Sequence, residues 1–570
     1  MKVSDYIVDF FARHGVRYIY GYIGGMITHL VDSIDKSELV DYVQTYHEQT
    51  AGFAAEGYAI GSGNVGVAIC TSGPGVTNMI TAIADAYFDS VSVIFISGQV
   101  NTTDYKYSKR MRQQGFQEMN VVDLVSSISK YAVLLDNPRN IRYELEKAVY
   151  IATNGRKGPV VIDLPMDISR ADVNINELHP YIPHAINKKS ANLSIIHEKL
   201  LSSHRPLLLL GGGTKNAREG LEDLLNRLPI PVVNSLKGKG ALDESYEYYV
   251  GMIGSYGNRC ANMAVDKCDL LIALGTRLDT RQTGARYKDF IQNTEIIHID
   301  IDEIELEECR IKNRIPVQAS VEEVVSYMSE LQIPTHKWGD WLNWVMNTKR
   351  NYNQQVEIER FVENKTPYKM MQFLNTNTGT NDIFVVDVGQ NEMWAAQTII
   401  LNHERNFVCS GGLAPMGFAL PVSIGIAMSQ PNRKIYAIVG DGGLQMSMQA
   451  LLTIQQYQLN ISIIVMNNKS LGMITQFQHL YFNNNMVGTT LEGGYQTMNF
   501  ESLAASCGIK YVALHEIGLE EDKWLNINEP VMIDFQIDGL TSVSPKLEYN
   551  GLYSMPTPQL DQDEYERAMN

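Results

Sequence analysis

Asp441, in Gly440-Asp441-Gly442-Gly443, and Asn468, in Asn467-Asn468-Lys469-Ser470, are the residues whose types and spacing point most directly to chemistry. A carboxylate, an amide oxygen and, as a third ligand, the backbone carbonyl of Ser470 make a set of hard oxygen donors. Magnesium takes such donors in an octahedron that it shares with phosphate oxygens. Gly440, Gly442 and Gly443 let backbone approach those phosphates, and the N-terminus of the helix that follows is an anion site. Residues 434–439 read as a buried strand, 446–456 as an amphipathic helix and 461–466 as a second strand. Both motifs then lie at the C-terminal ends of parallel strands, where open α/β sheets bind ligands. A solitary Gly-Asp-Gly is an ordinary turn; paired with Asn467-Asn468 across one βαβ unit it reads as a site for a metal and a diphosphate.

Many enzymes hold thiamine diphosphate at this spacing, and that cofactor needs a second group remote from its phosphates. The reactive carbon of its thiazolium ring must lose a proton, and a carboxyl bonded to the pyrimidine nitrogen favours the tautomer that removes it. Burial among apolar side chains keeps such a carboxyl protonated near neutral pH. Glu48, in Tyr46-His47-Glu48-Gln49, falls where a short strand (39–44) meets an apolar helix (51–59), and is read as that acid. A helix-capping role is the plainer alternative.

These residues need large α/β domains to position them. At 570 residues the chain is too long for one core, and 45% hydrophobic with 19% charged residues is a globular composition. A net charge of −17 with no basic block excludes nucleic-acid and anionic-membrane surfaces as partners. The N-terminal stretch reads as an amphipathic helix, no run has the length of a membrane span, and six scattered cysteines without a CxxC point to a reducing cytoplasm. The fold expected is α/β, three consecutive doubly wound parallel-sheet domains. A pyrimidine-side domain covers 1–175, a central FAD-binding-type domain 190–335 after a polar linker, and a diphosphate and metal domain 360–545. The tail, 546–570, is polar and dotted with proline, and is expected to lie over the surface.

Further strings agree in order along the chain: Gly21-Tyr22-Ile23-Gly24-Gly25, His47-Glu48-Gln49, Thr71 to Asn78 (TSGPGVTN), Ser97 to Val100 (SGQV), Phe116-Gln117-Glu118, Val388-Gly389-Gln390, Ser410 to Leu413 (SGGL) and Leu471 to Gln476 (LGMITQ). On these the chain resembles the catalytic subunit of the acetohydroxyacid (acetolactate) synthase family over about residues 1 to 540. The resemblance implies that Tyr22, Glu48, Pro74, Asn78 and Gln117 line the pyrimidine side. It implies that Gly389, Gln390 and Asn391 face the diphosphate, that the Ala414 carbonyl holds the aminopyrimidine, and that Met416, with Met473 nearby, keeps the cofactor bent. Phe116, Gln117 and Lys130 match positions near the reacting carbons; a core aromatic and a surface ion pair are the alternatives for Phe116 and Lys130. The family pairs the pyrimidine side of one chain with the diphosphate side of another, so a homodimer is expected, and tetramers as paired dimers.

In the central region, Gly211-Gly212-Gly213 follows a buried strand, and Gly275 to Gly284 (GTRLDTRQTG) and Ile296 to Asp302 (IIHIDID) resemble the family's FAD-binding segments. Strand-end glycines such as Gly275 admit phosphate, Arg277 can pair with it, and Asp279 and Asp300 supply polar contacts. A vestigial dinucleotide fold without ligand is the alternative.

The reaction implied is decarboxylation of pyruvate and transfer of the two-carbon unit to a second carbonyl. The chain departs from the family where that acceptor is chosen: Phe477 replaces a tryptophan, Thr280 an aspartate, Ile23 a proline and Asn391 a histidine, while Arg281 matches the arginine that grips the acceptor's carboxylate. Room left by the missing indole, and a tail like that of relatives making yersiniose-type branched sugars, favour a nucleotide-linked keto-deoxysugar as acceptor. A second 2-oxoacid, giving acetolactate or its homologue, is the alternative, followed by a pyruvate oxidase or a decarboxylase.

Overall fold

The structure is a computed structural model and describes residues 1–183, 191–402, 404–516, 521–549 and 551–570; part of the expected linker, 184–190, lies outside the described residues. Near-continuous runs of Val, Ile and Leu make strands whose two faces are both covered. Six of them, β1 (Tyr18–Gly21), β2 (Asp41–Gln44), β3 (Gly66–Cys70), β4 (Val93–Gln99), β5 (Tyr131–Leu134) and β6 (Val160–Pro165), form a first sheet ordered β2-β1-β3-β4-β6-β5. The second contains β7 (Pro206–Leu210), β8 (Val232–Asn234), β9 (Tyr249–Met252), β10 (Leu270–Leu274), β11 (Glu295–Asp300) and β12 (Ile315–Gln318), ordered β12-β11-β10-β7-β8-β9. The third contains β13 (Ile383–Val386), β14 (Asn406–Cys409), β15 (Ile435–Gly440), β16 (Ile461–Asn467), β17 (Lys510–Leu514) and β18 (Val531–Gln536), ordered β14-β13-β15-β16-β18-β17. All pairings are parallel, as the three-domain α/β expectation requires.

Near the middle of each sheet two adjacent strands send their connections in opposite directions, and ligands bind outside the carboxyl ends of the strands at such a reversal. In the first sheet the reversal lies between β1 and β3, which run into Tyr22 and into Gly73-Pro74. In the second it lies between β7 and β10, which run into Gly211 and Gly275; in the third, between β13 and β15, which run into Asp387 and Asp441. The topology alone therefore gathers the sequence's candidate residues at three crevices.

Six helices position those crevices: α1 (Glu48–Ser62), α2 (Pro74–Phe88), α3 (Gln390–Thr398), α4 (Ala419–Ser429), α5 (Asp441–Ser447) and α6 (Gly472–Tyr481). The helix expected over 446–456 is two helices, α5 and Ala450–Gln456, and α5 begins on Asp441 itself, so the carboxylate expected to hold a metal is the first residue of that helix. α1 likewise begins on Glu48, with the His47 imidazole accepting the Gln49 N–H at 3.1 Å as its cap.

The first and third domains share one apolar core, with Phe53 edge-on to Phe418 at 5.6 Å. At its centre α1 crosses α4 with backbone against backbone. A Cβ on Gly57 would lie 2.1 Å from the Val422 carbonyl oxygen, and one on Gly425 1.9 Å from that of Ala54.

The tail corrects the surface expectation. Leu547 and Tyr553 are buried in the central domain's core, and Arg259, fully buried, donates to the carbonyls of Pro556 (3.1 Å) and Pro558 (2.6 Å) while pairing with Glu357. The segment's polar composition hid a few apolar anchors and a set of backbone acceptors. Among the described residues no helix is long and apolar enough to cross a membrane.

A methyl group at the helix crossing must displace backbone. Gly425→Ala is expected to cost about 1–3 kcal/mol, the usual range for overpacking, and to lower the calorimetric unfolding temperature of the first and third domains together; an unchanged temperature would refute the crossing.

Candidate active site

At the third crevice Asp441 is 2% exposed; its Oδ1 accepts the Gly442 N–H at 2.9 Å, and its Oδ2 has no partner. Burial pushes this carboxyl up to about 7. An unpartnered buried carboxylate oxygen at a helix N-terminus is what a divalent cation would complete. Of the two asparagines, Asn467 turns into the protein, donating to Asp534 at 2.8 Å, whereas Asn468 turns to the crevice. The Asn468 amide donates to the Thr541 hydroxyl at 2.9 Å, and its oxygen accepts the Ser470 N–H at 3.2 Å across a turn in which Lys469 has φ 53°. Thr541 also donates to Gln390 at 2.6 Å, and Gln390 donates to Gln476 at 3.1 Å, so one network joins the diphosphate-side residues. The donor set fits magnesium and a diphosphate.

Behind them lies a residue the sequence reading missed. Asp387, fully buried at the end of β13, accepts the backbone N–H groups of Gly417 and Ala419, both at 3.0 Å, and a Cβ on Gly443 would lie 2.0 Å from its Oδ2. Burial raises it to about 6. It ties the loop carrying Ala414 (φ 56°) and Met416 to the start of α5, where a Cβ on Gly442 would meet Met416 Cε at 3.0 Å. A lone Asp after a strand carries no signal by itself; its place at the switch point would have marked it.

Asn391 is buried at the start of α3. Its amide donates to the Asp387 carbonyl at 2.6 Å, and its oxygen lies beside Gly389 and Gly440, where an added Cβ would come within 2.7 and 3.3 Å of it.

At the first crevice Glu48 is buried, and Asn78, on α2, donates to its Oε2 at 3.0 Å. Pro74 opens α2, and Gln117, held at φ 64°, presses on Gly73, where a Cβ would lie 2.9 Å from the Gln117 carbonyl oxygen. The loop bearing Gln117 is fixed from below: Gln99 donates to Met119 O at 2.7 Å and to Asp163 at 2.8 Å. Tyr22 and Phe116 stand exposed at the rim. Lys130 does not join them, because its ammonium donates to the carbonyls of Ile151, Asn154 and Arg156 at the end of helix Ile141–Thr153. A single Lys in sequence gives no hint that a helix end will claim it.

Comparison with known proteins agrees with this arrangement. The thiamine pyrophosphate enzyme N-terminal TPP binding domain matches residues 1–124, the central domain 193–328 and the C-terminal TPP binding domain 387–535. The chain is 34% identical over 561 residues to the acetolactate synthase large subunit of Lactococcus lactis, covering 97% of this chain and 95% of that one. It is 35% identical over 570 residues to a probable acetolactate synthase large subunit of Methanocaldococcus jannaschii (94% and 92% covered) and 32% identical over 547 residues to the isozyme 2 large subunit of Escherichia coli (96% and 97%). The chain belongs to the thiamine pyrophosphate enzyme family. It is a thiamine-diphosphate-dependent enzyme of the carbon–carbon bond-forming class.

This thiamine enzyme carries a second cleft of about 750 Å³ where its three domains meet, lined by Gly212, Gly213, Gly275, Arg277, Asp279, Arg281 and Asp300. Gly211 lies beneath it as a packing residue, since its Cβ would lie 2.0 Å from Gly275 O. Lys215 adds positive charge, its ammonium driven down to about 8 by burial, while Lys237 is paired with Asp89 at 2.8 Å. Asp279 caps the turn that presents Arg281, accepting that residue's N–H at 2.8 Å, and burial raises the Asp300 carboxyl to about 6. Size, strand-end glycines and charge suit a dinucleotide. Arg281 itself lies 3.7 Å from Glu392, a fully buried carboxylate pushed up to about 8 by burial against the opposing pull of Arg281. Phe477, on α6, is half exposed beside Tyr481 at 4.8 Å.

The two half-sites predict separable defects. Glu48→Gln is expected to lower kcat by about 10²–10⁴ while leaving magnesium-dependent thiamine diphosphate binding in place, as titration calorimetry would report. Asp441→Ala should abolish that binding; retention of metal-dependent affinity would remove Asp441 from the metal site.

Proposed function

We propose that this chain is the catalytic chain of an acetolactate synthase, which decarboxylates pyruvate and joins the two-carbon unit to a second 2-oxoacid. The observation that carries the reading is likeness along nearly the whole chain to acetolactate synthase large subunits, together with both half-sites. The comparisons support this acceptor and give no support to the keto-deoxysugar favoured on sequence.

Asp441, the Asn468 amide oxygen and the Ser470 carbonyl would hold the magnesium, with Gln390 and the glycines of α5 beside the diphosphate. When bound, thiamine diphosphate supplies the ring that accepts electrons as a 2-oxoacid loses carbon dioxide. Glu48 would meet the pyrimidine nitrogen, with Asn78 fixing its carboxyl. The Asp387-anchored loop presents Ala414 and Met416, which would hold the cofactor between the two half-sites and fix its orientation. Arg281 receives an acceptor carboxylate, and Phe477 walls the acceptor pocket.

In this reading the working unit is a homodimer. Among the described residues no hydrogen bond or ion pair joins Glu48 or Asn78 to Asp441 or Asn468, and apolar side chains stand exposed at both rims: Tyr22, Ile23 and Phe116 on one, Leu413, Met446 and Phe477 on the other. A second chain bringing opposite rims together would cover them. Six cysteines free of disulfides suit the cytoplasm. The central cleft takes FAD, with Arg277 at its phosphates and Asp300 at its ribose or adenine. Carboligation is redox-neutral overall, so a flavin here supports structure rather than electron transfer.

Two measurements test this reading. Purified protein with thiamine diphosphate, magnesium, FAD and labelled pyruvate should yield labelled acetolactate by mass spectrometry; label found instead in an added CDP-linked 4-keto-3,6-dideoxysugar would overturn the oxoacid acceptor. The protein as isolated should show flavin absorbance, and Arg277→Ala should lose it while remaining folded by circular dichroism; absence of flavin after reconstitution would leave the cleft to another dinucleotide.

A further inference from the structure

The C-terminal tail brings a cation to the wall of the acceptor pocket. Lys546 is tied to Thr557 through both of its backbone groups, at 2.9 and 2.8 Å, and Leu547 donates to Ser255 O at 2.7 Å. Tyr549 donates to the Tyr481 hydroxyl at 3.3 Å. These bonds hold the Lys546 side chain between α6 and the Ser255-Tyr256 turn. Its Nζ lies 5.6 Å from the ring centres of Phe477 and of Tyr481, and 5.9 Å from that of Tyr256.

Lys546 is 7% exposed, and its Nζ has no hydrogen-bond partner among the described residues. An ammonium carries three donors, and burying it unpaired is costly. Ring faces attract a cation but neutralise nothing. Burial lowers the Lys546 pKa; Glu548, on the same segment, opposes this but its carboxylate accepts the Thr557 hydroxyl.

Arg281 borders the same gap: its charge bears on the Tyr256 hydroxyl, and its carbonyl accepts the Ser255 N–H at 2.8 Å. The two cations differ in one respect. Arg281 has the buried Glu392 carboxylate 3.7 Å away, whereas Lys546 has no partner among the described residues.

We propose that Lys546 is a specificity-determining residue of the acceptor site, its ammonium joining Arg281 in receiving the carboxylate of the second 2-oxoacid. The inference rests on the carboligase reading above and deepens it: an anionic acceptor completes an ammonium that has no hydrogen-bond partner among the described residues, and a neutral acceptor leaves it buried and unsatisfied.

The test uses the full chain loaded with its cofactors, pyruvate as donor, and 2-oxobutyrate competing with benzaldehyde, a neutral acceptor whose adduct differs in mass from any breakdown product of the acid's adduct. In Lys546→Met the ratio of acid to neutral adduct should fall about tenfold, the loss expected of a charge-assisted contact, with carbon dioxide release and unfolding temperature held. Lys546→Arg should restore the ratio. An unchanged ratio in Lys546→Met, beside a normal acid adduct in the wild type, would overturn the role of Lys546 alone. Wild-type protein making only the neutral adduct would instead overturn the oxoacid acceptor and this proposal with it. If Lys546→Met does not fold, Lys546→Gln reads the same ratio.

Discussion

The crossing of α1 and α4, backbone against backbone, is the constraint on which the rest of the site depends. Glu48 is the first residue of α1, and α4 starts directly after the loop that carries Ala414 and Met416. Because Gly57 and Gly425 bring carbonyls and α-carbons into direct contact, no flexible side chain lies between the helices to absorb a shift. A close-packed interior transmits displacement, so the crossing sets where the pyrimidine-side acid of a chain stands relative to its diphosphate-side loop. Any second chain that completes the site inherits that spacing.

What was legible in the sequence was fixed by chemistry or by topology. Asp441 and Asn468 could be placed because magnesium demands oxygen donors and because strand, helix and strand bracket them. The strand-end glycines of the central cleft stood out in sequence as places that admit phosphate, but at Gly211 the requirement is a different one, backbone packed against Gly275. The residues that escaped do their work through partners distant in sequence. Asp387 is one aspartate among many until the loop at 417–419 folds over it, and Lys130 is a surface cation until the carbonyls of Ile151, Asn154 and Arg156 converge on it. The tail was misread because composition weighs polar residues equally, while Leu547, Tyr553 and the carbonyls that Arg259 binds decide where it packs.

The supporting residues share a physical pattern. Asp387 stands behind the Met416 loop, Asp163 stands through Gln99 behind the Gln117 loop, and Glu392 stands behind Arg281. Burial pushes all three acids above the ordinary carboxylate range. Buried polar groups are costly unless bonded, and once bonded they admit few alternative geometries. Two of these three acids are fully engaged: Asp387 by backbone amides, Asp163 by Ser97 and Gln99. Glu392 differs, with neither oxygen hydrogen-bonded and Arg281 slightly beyond contact. The engaged acids fix their loops through hydrogen bonds, whereas Glu392 meets its arginine at 3.7 Å through charge alone.

That difference bears on how an acidic chain handles acidic ligands. With a net charge of −17 the molecule as a whole repels diphosphates, dinucleotides and oxoacids, so attraction must be local and confined to clefts whose low-dielectric walls strengthen it. Asp89 neutralises Lys237 and Glu244 neutralises Lys239, so lining a cleft does not by itself make a cation available. Arg281 is half compensated and, among the described residues, Lys546 is uncompensated. Selectivity among anions then follows from which cations the fold leaves without a carboxylate. Those lie on the turn after β10 and on the tail, two segments that the first and third domains do not supply.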